Sequence, residues 1–218
     1  MKSKRKIIIG AVFMLMVSSI IGVIGYYLYE NTYYVKTEDA RLAADIVRVA
    51  PQISGKLIEF NAQEGQRVTK GQILGRQEMV NLPDSSMDLA VIKAPIAGLV
   101  IKEQGNVGEI VSPGQVLAML VNPEEIYITA NIEENKLSRV HQGQTVDITI
   151  DEYEGQTFEG KVASIGEATT NTFSLLPTST GGTFTKVVQK IPVKITLEQV
   201  NGVKLLPGVN TVVKIHVK

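Results

Sequence analysis

The chain has 218 residues, no cysteine, two histidines, and 22 basic side chains against 22 acidic ones. Without thiols it can hold neither a disulfide framework nor a zinc–thiolate site, and the balanced charge argues against a nucleic-acid surface. The charge is unevenly spread: residues 1–30 carry four basic side chains and one acidic one, leaving 18 basic against 21 acidic in the remainder. The roughly 185 residues beyond that start must rely on hydrophobic burial, and they suffice for one or two small domains.

Met1-Lys2-Ser3-Lys4-Arg5-Lys6 forms a basic tail (1–6), after which residues 7–29 are uncharged and mostly apolar. Those residues, as a helix rising about 1.5 Å per residue, reach about 34 Å, enough to cross a hydrocarbon core of about 30 Å. A single transmembrane helix is therefore predicted over 7–29. A cleavable signal peptide has a shorter apolar core, about 7–15 residues, with a small-x-small cleavage site after it. Here Tyr26, Tyr27 and Tyr29 stand where an interfacial aromatic belt belongs. The basic tail, set against Glu30-Asn31-Thr32 with no positive charge, predicts a cytoplasmic N-terminus and an extracytoplasmic bulk. Gly10, Ser18, Gly22 and Gly25 share one side of the helix, where small side chains permit another helix to pack closely.

A linker and first strand are expected over 30–45. Asp45 to Val49 then alternates ahead of Pro51 and leads into a segment that occurs twice. Ile53-Ser54-Gly55 runs through Gly65 and Val68 to Gly71-Gln72-Ile73-Leu74; 43 positions later Ile96-Ala97-Gly98 runs through Gly108 and Val111 to Gly114-Gln115-Val116-Leu117. Short β-like runs such as Lys56–Phe60 and Leu99–Ile101 are separated by glycines at matching positions, which supply the positive φ of tight turns. Residues 46–121 are thus predicted to build one internally two-fold β module, its halves joined by a connector over 75–93.

From 122 to 218 the strands lengthen. Ile126, Ile128, Ala130 and Ile132 share one face; Glu133 to Val140 allows one or two helical turns; His141-Gln142-Gly143-Gln144 is a turn. Val146, Ile148 and Ile150 alternate, and a hairpin through Glu154-Gly155-Gln156 returns along Phe158 to Ile165. Ile191 to Leu197 and Val213 to Val217 alternate again. Pro192 lacks a ladder N–H, which places its strand at an edge or starts it late. Five or six such strands predict a small antiparallel barrel. Between Glu167 and Lys186, a Thr/Ser/Gly-rich stretch carries Phe173, Leu175, Leu176 and Pro177; these either pack back on the barrel or form a contact surface for a partner.

No catalytic constellation is legible. His141 falls in a turn and His216 on the polar face of a terminal strand, both read as exposed structural residues. The acidic clusters, such as Asp151-Glu152-Tyr153-Glu154, lack the ligand spacing of a calcium loop. Neither a phosphate-cradling loop nor a nucleophile elbow is present. No enzyme, cofactor or metal is expected.

Two glycine-rich halves in one sheet module resemble the biotinyl/lipoyl carrier fold. Carriers present their modified lysine at a tight hairpin between the halves, usually beside Met. No Met-Lys-Met occurs here, and Lys93 precedes Ala94-Pro95 at the start of a strand. The wider pattern resembles the membrane fusion proteins of the HlyD/EmrA type: Thr37-Glu38-Asp39-Ala40 after the anchor, Val49-Ala50-Pro51-Gln52-Ile53-Ser54-Gly55 opening the first half, and Lys93-Ala94-Pro95-Ile96-Ala97-Gly98 opening the second. Ile126 to Glu134 resembles the first strand of that family's barrel. Phe173-Ser174-Leu175-Leu176-Pro177 with Thr185-Lys186-Val187-Val188-Gln189-Lys190-Ile191-Pro192-Val193 is similar to a signature of the EmrA branch, with Phe184 near the place of its usual Trp.

The resemblance implies a mainly β protein with an N-terminal transmembrane helix, a lipoyl-like module and a small antiparallel barrel. It implies an adaptor without chemistry of its own, set beside a polytopic inner-membrane transporter of a multidrug efflux or export system. A major facilitator drug antiporter is the first expectation for that partner and an ABC exporter the second, with homo-oligomers such as a ring also known in the family. The expected contacts are Gly10, Ser18, Gly22, Gly25, Phe173, Leu175, Leu176 and Pro177. The long α-helical hairpin that the family inserts between its lipoyl halves is missing. The 19-residue connector, with Pro83 inside it, permits about two helical turns per arm, near 12–15 Å. Two other classes remain in play: a membrane-tethered biotin or lipoyl carrier, and a cell-surface binding module unrelated to transport.

Overall fold

A computed structural model describes residues 2–78, 88–173, 188–198 and 203–218. It begins with helix α1, Lys2–Tyr33, whose apolar stretch Val12–Tyr33 has a mean hydropathy of 1.9 and no buried residues. An exposed helix of that composition is stable only where water is absent, and its length suffices to cross a bilayer. Its backbone bonds are satisfied internally, as a lipid environment requires.

The strands are β1 Tyr34–Ala43, β2 Val47–Val49, β3 Gly55–Phe60, β4 Arg67–Val68, β5 Ile73–Glu78, β6 Val91–Lys93, β7 Gly98–Glu103, β8 Ile110–Val111, β9 Ala118–Val121, β10 Tyr127–Glu133, β11 Thr145–Ile150, β12 Thr157–Ile165, β13 Lys190–Leu197 and β14 Asn210–His216; a short helix α2, Glu134–Leu137, follows β10. The chain divides into two compact units. One comprises residues 1–41, 128–202 and 209–218, the other residues 42–127 and 203–208.

The second unit is the repeat module, two four-stranded sheets in the orders β2-β9-β7-β4 and β6-β5-β3-β8. Its halves exchange their short strands reciprocally. β4 of the first half pairs with β7 of the second, and β8 of the second with β3 of the first. The bonds repeat with the two-fold: Gly65 N–H donates to Val100 O and Gly108 N–H to Leu57 O, at 2.8 and 2.6 Å. Both glycines are left-handed, with φ of 82° and 95°, as are Gly71 and Gly114 at 83° and 87°. The glutamine of each Gly-Gln-x-Leu motif closes its own turn. Gln72 Oε1 accepts Thr69 N–H at 3.0 Å, and Gln115 Oε1 accepts Ser112 N–H at 3.3 Å. Leu57, Leu74, Val100, Leu117 and Leu120 are fully buried between the sheets, with Phe60, Val68 and Val111 around them. Because each half completes the other's sheet, neither half has a closed core alone.

The first unit carries a closed barrel of six strands in the order β1-β10-β13-β12-β11-β14. Its wall alternates as the apolar spacing requires: Ile128, Ala130 and Ile132 on β10, Val146, Ile148 and Ile150 on β11, Val193 and Ile195 on β13, and Val213 and Ile215 on β14 are all at most 1% exposed. α2 provides a single short turn of helix after β10, and the turn at Gly143 (φ 88°) leads into β11. Closure comes from β1, which precedes the module in sequence and pairs antiparallel with β14 from Tyr34↔His216 to Arg41↔Asn210.

Pro192 corrects one expectation. β13 is not an edge; it lies between β10 and β12. In an antiparallel ladder a residue's N–H and C=O face the same neighbour. The Pro192 carbonyl accepts Gly166 N–H at 2.8 Å, so the missing N–H falls opposite Gly166, one residue past the end of β12. The ladder loses a bond at its margin, where the loss is cheap.

Candidate functional site

The residues singled out by the sequence fall in two places: the anchor with the barrel it enters, and the connector end of the module. The anchor enters the barrel without a linker. Helix α1 ends at Tyr33, and Tyr34 is already paired in the barrel wall. A helix leaves its last carbonyls without internal partners, and no glycine cap follows this one. The barrel caps it instead. Arg139 Nη2 donates to Thr32 O at 2.6 Å, and Val217 N–H donates to Tyr33 O at 2.9 Å. Arg139 also sets a positive charge at the negative end of the helix dipole.

Side chains extend this joint. Lys214 Nζ lies 3.2 Å from Glu30 Oε1 and 3.9 Å from the centre of the Tyr34 ring. His216 Nε2 lies 2.8 Å from Asp147 Oδ2, and its ring meets Tyr34 edge-on at 4.9 Å. Tyr29 stacks on Tyr33 at 4.6 Å. His216 is therefore half-buried and bonded across strands, where its place on a polar strand face suggested an exposed residue. His141 is exposed as expected, in a turn that Gln144 Oε1 closes by accepting His141 N–H at 2.8 Å.

Higher on the helix, Gly10, Ser18, Gly22 and Gly25 are all exposed. A Cβ added at Gly10, Gly22 or Gly25 would meet nothing within 4 Å. The small-residue side is thus an open face. Phe173 ends a 3-10 turn, Thr170–Phe173, that follows β12; Leu175, Leu176 and Pro177 lie outside the described residues.

On the barrel wall, Asp39 of β1 accepts from Lys190 Nζ at 2.6 Å and from Asn131 Nδ2 at 3.1 Å. This ties β1, β13 and β10 together. The Lys190 hydrogen bond holds the Asp39 carboxyl below its ordinary value, and Asp39 raises Lys190 in return. In the other unit, burial pushes the Tyr127 hydroxyl up, helped by its bond to Asp45 at 3.0 Å. Both pairs are hydrogen-bonded and partly solvated. Among the described residues, no group of three or more metal-binding side chains occurs.

At the connector end, β5 runs to Glu78 and β6 resumes at Val91, so the strands take up seven of the nineteen connector positions. Lys93 closes β6, its Nζ 3.3 Å from Asp88 Oδ1. It therefore occupies a paired strand end. Beside it a groove of about 250 Å³ is lined by Ala50, Pro51, Gln52, Leu89, Val91 and Ile92. Sequence reasoning missed Glu30, Arg139 and Lys214, because their roles depend on which strand end meets the helix. The only signal was the placement of Tyr33 and Tyr34 on either side of a helix-to-strand change in pattern.

Residues 45–122 match the YhbJ barrel-sandwich hybrid domain, and residues 126–215 match the YknX-like β-barrel domain. The chain is 34% identical over 216 residues to the putative efflux system component YhbJ of Bacillus subtilis (strain 168), covering 99% of this chain and 94% of that protein. It is 33% identical over 198 residues to the multidrug export protein EmrA of Escherichia coli (strain K12), covering 85% of this chain but only 50% of that protein. The solved structure of a periplasmic adaptor protein EmrA superposes with a TM-score of 0.58 at 15% identity, over 85% of this chain and 99% of that one, a likeness of fold. With both domain families matched in turn and a relative of this kind aligned along almost the whole chain, the chain belongs to the EmrA-type membrane fusion proteins, as a short member of that family.

Proposed function

We propose that this protein is the membrane-anchored adaptor subunit of an efflux system, contributing no catalysis and working by holding its β domains against an inner-membrane transporter. The observation that carries the reading is the match to a putative efflux component along almost the whole chain, on a fold with an apolar helix suited to a membrane. A drug antiporter of the major facilitator type is the first choice of transporter, on the strength of the likeness to EmrA. The basic tail orients the N-terminus toward the cytoplasm and the barrel and module outside.

Two contacts serve this role. The face of α1 carrying Gly10, Ser18, Gly22 and Gly25 packs against a transporter helix, because an open stripe of small residues lets backbones approach closely. The segment Phe173–Pro177, rich in apolar residues, is the second contact. Tethering in one membrane raises the effective concentration of the partners, so modest contacts suffice.

The connector limits the reach of the module. Between β5 and β6 only residues 79–90 remain. Divided into two arms, they reach about 9 Å as helix or about 20 Å fully extended. Neither spans a periplasm, so the adaptor acts at the transporter's exit, in a cell envelope without an outer membrane to bridge.

The test is a membrane pull-down of the full chain, with identification of the co-purifying polytopic protein. Recovery of a transporter whose export activity falls when the adaptor is deleted supports the reading. Recovery of none, with unchanged drug tolerance on deletion, sinks it. A biotin or lipoyl adduct on any lysine, by intact-mass spectrometry, would establish the carrier alternative.

A further inference from the structure

We propose that the Tyr33–Tyr34 joint makes the anchor helix and the barrel one rigid lever, so that tilting or rotating the helix in the bilayer re-aims the barrel as a body. Single-pass anchors usually need only a tether; this one has no slack. The peptide bond that leaves the helix enters the barrel wall, since Tyr33 closes α1 and Tyr34 is in register with His216. Two parts of the barrel grip the helix end through three bonds. The loop after α2 supplies Arg139 to the Thr32 carbonyl, the residue after β14 supplies the Val217 N–H to the Tyr33 carbonyl, and β14 supplies Lys214 to Glu30.

The three bonds resist different motions. The Thr32 and Tyr33 carbonyls point along the helix axis, so their two donors oppose bending at the joint. Glu30 lies a turn earlier on the helix flank, so its bond to Lys214 opposes rotation about the axis. Lys214 is itself held against the Tyr34 ring, and that ring against His216. The His216–Asp147 bond carries the connection onward to β11. Swivelling the helix would uncover its terminal carbonyls and part several aromatic and charged contacts together, which is why the joint acts as a unit.

The geometry converts small motions at the membrane into large ones above it. A tilt change of about 20°, within the ordinary range for single helices, moves the far end of β14, a seven-residue strand about 20 Å long whose His216 end lies at the joint, through roughly 7 Å. A transporter helix packed on the anchor therefore steers the barrel. The lever stands on the joint alone, whereas its bearing on export rests on the adaptor reading above.

The chain has no cysteine, so two can be introduced for spin labelling without background. Val23→Cys on the helix and Thr149→Cys on the barrel, both exposed, are labelled in the full chain reconstituted in lipid nanodiscs, and the distance distribution is measured by double electron–electron resonance. The expected result is a single narrow distribution, which at least doubles in width when Gly-Ser-Gly-Ser is inserted between Tyr33 and Tyr34, and widens partway in the Arg139→Ala, Lys214→Ala double variant. A parent distribution as broad as that of the insertion variant overturns the rigid joint. Circular dichroism of each variant verifies that the barrel remains folded; should the insertion unfold it, the double variant carries the comparison. If the parent is narrow but the insertion variant exports as well as the parent, the lever's role in export is refuted while the adaptor reading survives. If deletion of the whole chain leaves export unchanged, the adaptor reading fails and the width comparison still decides the joint.

Discussion

Replacing Gly22 and Gly25 together by Leu should uncouple the adaptor from its transporter while leaving the chain itself intact. A Cβ added at either position meets nothing within 4 Å, and both residues are exposed. The substitution therefore creates no clash inside the protein, and helix propensity improves by up to about 1 kcal/mol per glycine replaced. A helix seated on this face is affected differently. Inserting side chains into a packed contact costs about 1–3 kcal/mol per site, so even the lower end for two sites gives about 2 kcal/mol, or roughly 30-fold in affinity. The assay is co-purification of the transporter from membranes, quantified against the parent at equal expression, alongside drug tolerance of the cells. Val23→Leu, on a neighbouring side of the helix, serves as the control and should retain parental behaviour. Parental co-purification by the Gly22→Leu, Gly25→Leu variant would refute the reasoning, because no internal defect could mask the effect.

Three further outcomes are expected. A Cβ at Gly105 would meet Phe60 Cδ1 and Cε1 at 3.1 Å and Leu117 Cβ at 3.4 Å, side-chain atoms only; Gly105→Ala should destabilise the module by about 1–2 kcal/mol, and most of that cost should vanish in a Phe60→Leu background. Hydrogen exchange of the module's amides measures the cycle, and strictly additive effects would contradict it. Asp39 is held below its ordinary value of 3.8 by Lys190. Its contribution is therefore fully present above that pH and lost as pH falls through the lower folded value; with both side chains nearly half exposed the effect is small. The thermal midpoint of the barrel should fall less steeply below pH 4 in Asp39→Asn than in the parent. For orientation, a membrane-impermeant thiol reagent applied to intact cells should label Thr149→Cys and spare Ser3→Cys; the reverse pattern would invert the proposed topology.

The repeat was legible because its glycines and glutamines do local work. Gly65, Gly71, Gly108 and Gly114 each occupy a left-handed turn, and Gln72 and Gln115 each bond within three residues of themselves. Local causes leave local signals. The strand exchange between the halves left none, since β4 and β8 are two residues long and each finds its partner in the other half of the module. The place of β1 in the barrel was hidden for a different reason. Val35 points inward, but a register shift between Thr37 and Ala40 moves the inward set to Ala40 and Leu42, so the apolar period of two is broken within the strand. Its partner β14 also stands at the other end of the chain. At the anchor, the stripe of small residues could be read from side-chain size alone, whereas Arg139, Lys214 and Val217 gain their roles only when the helix end meets the closed barrel. Pro192 shows the converse: the residue was correctly read as a break in a ladder, but the break falls where β12 has already ended.

Barrel closure by β1 also sets an order of events during synthesis. Tyr34 leaves the ribosome directly behind the anchor, yet its partner His216 is made about 180 residues later. At roughly 5–20 residues per second, that strand waits on the order of ten to thirty seconds with its edge unpaired. The module can finish its own two sheets in that interval, since Leu42–Tyr127 contains every one of their strands. The barrel cannot finish without β14, and truncation within it would leave the edges of β1 and β11 unpaired, a natural target for proteases.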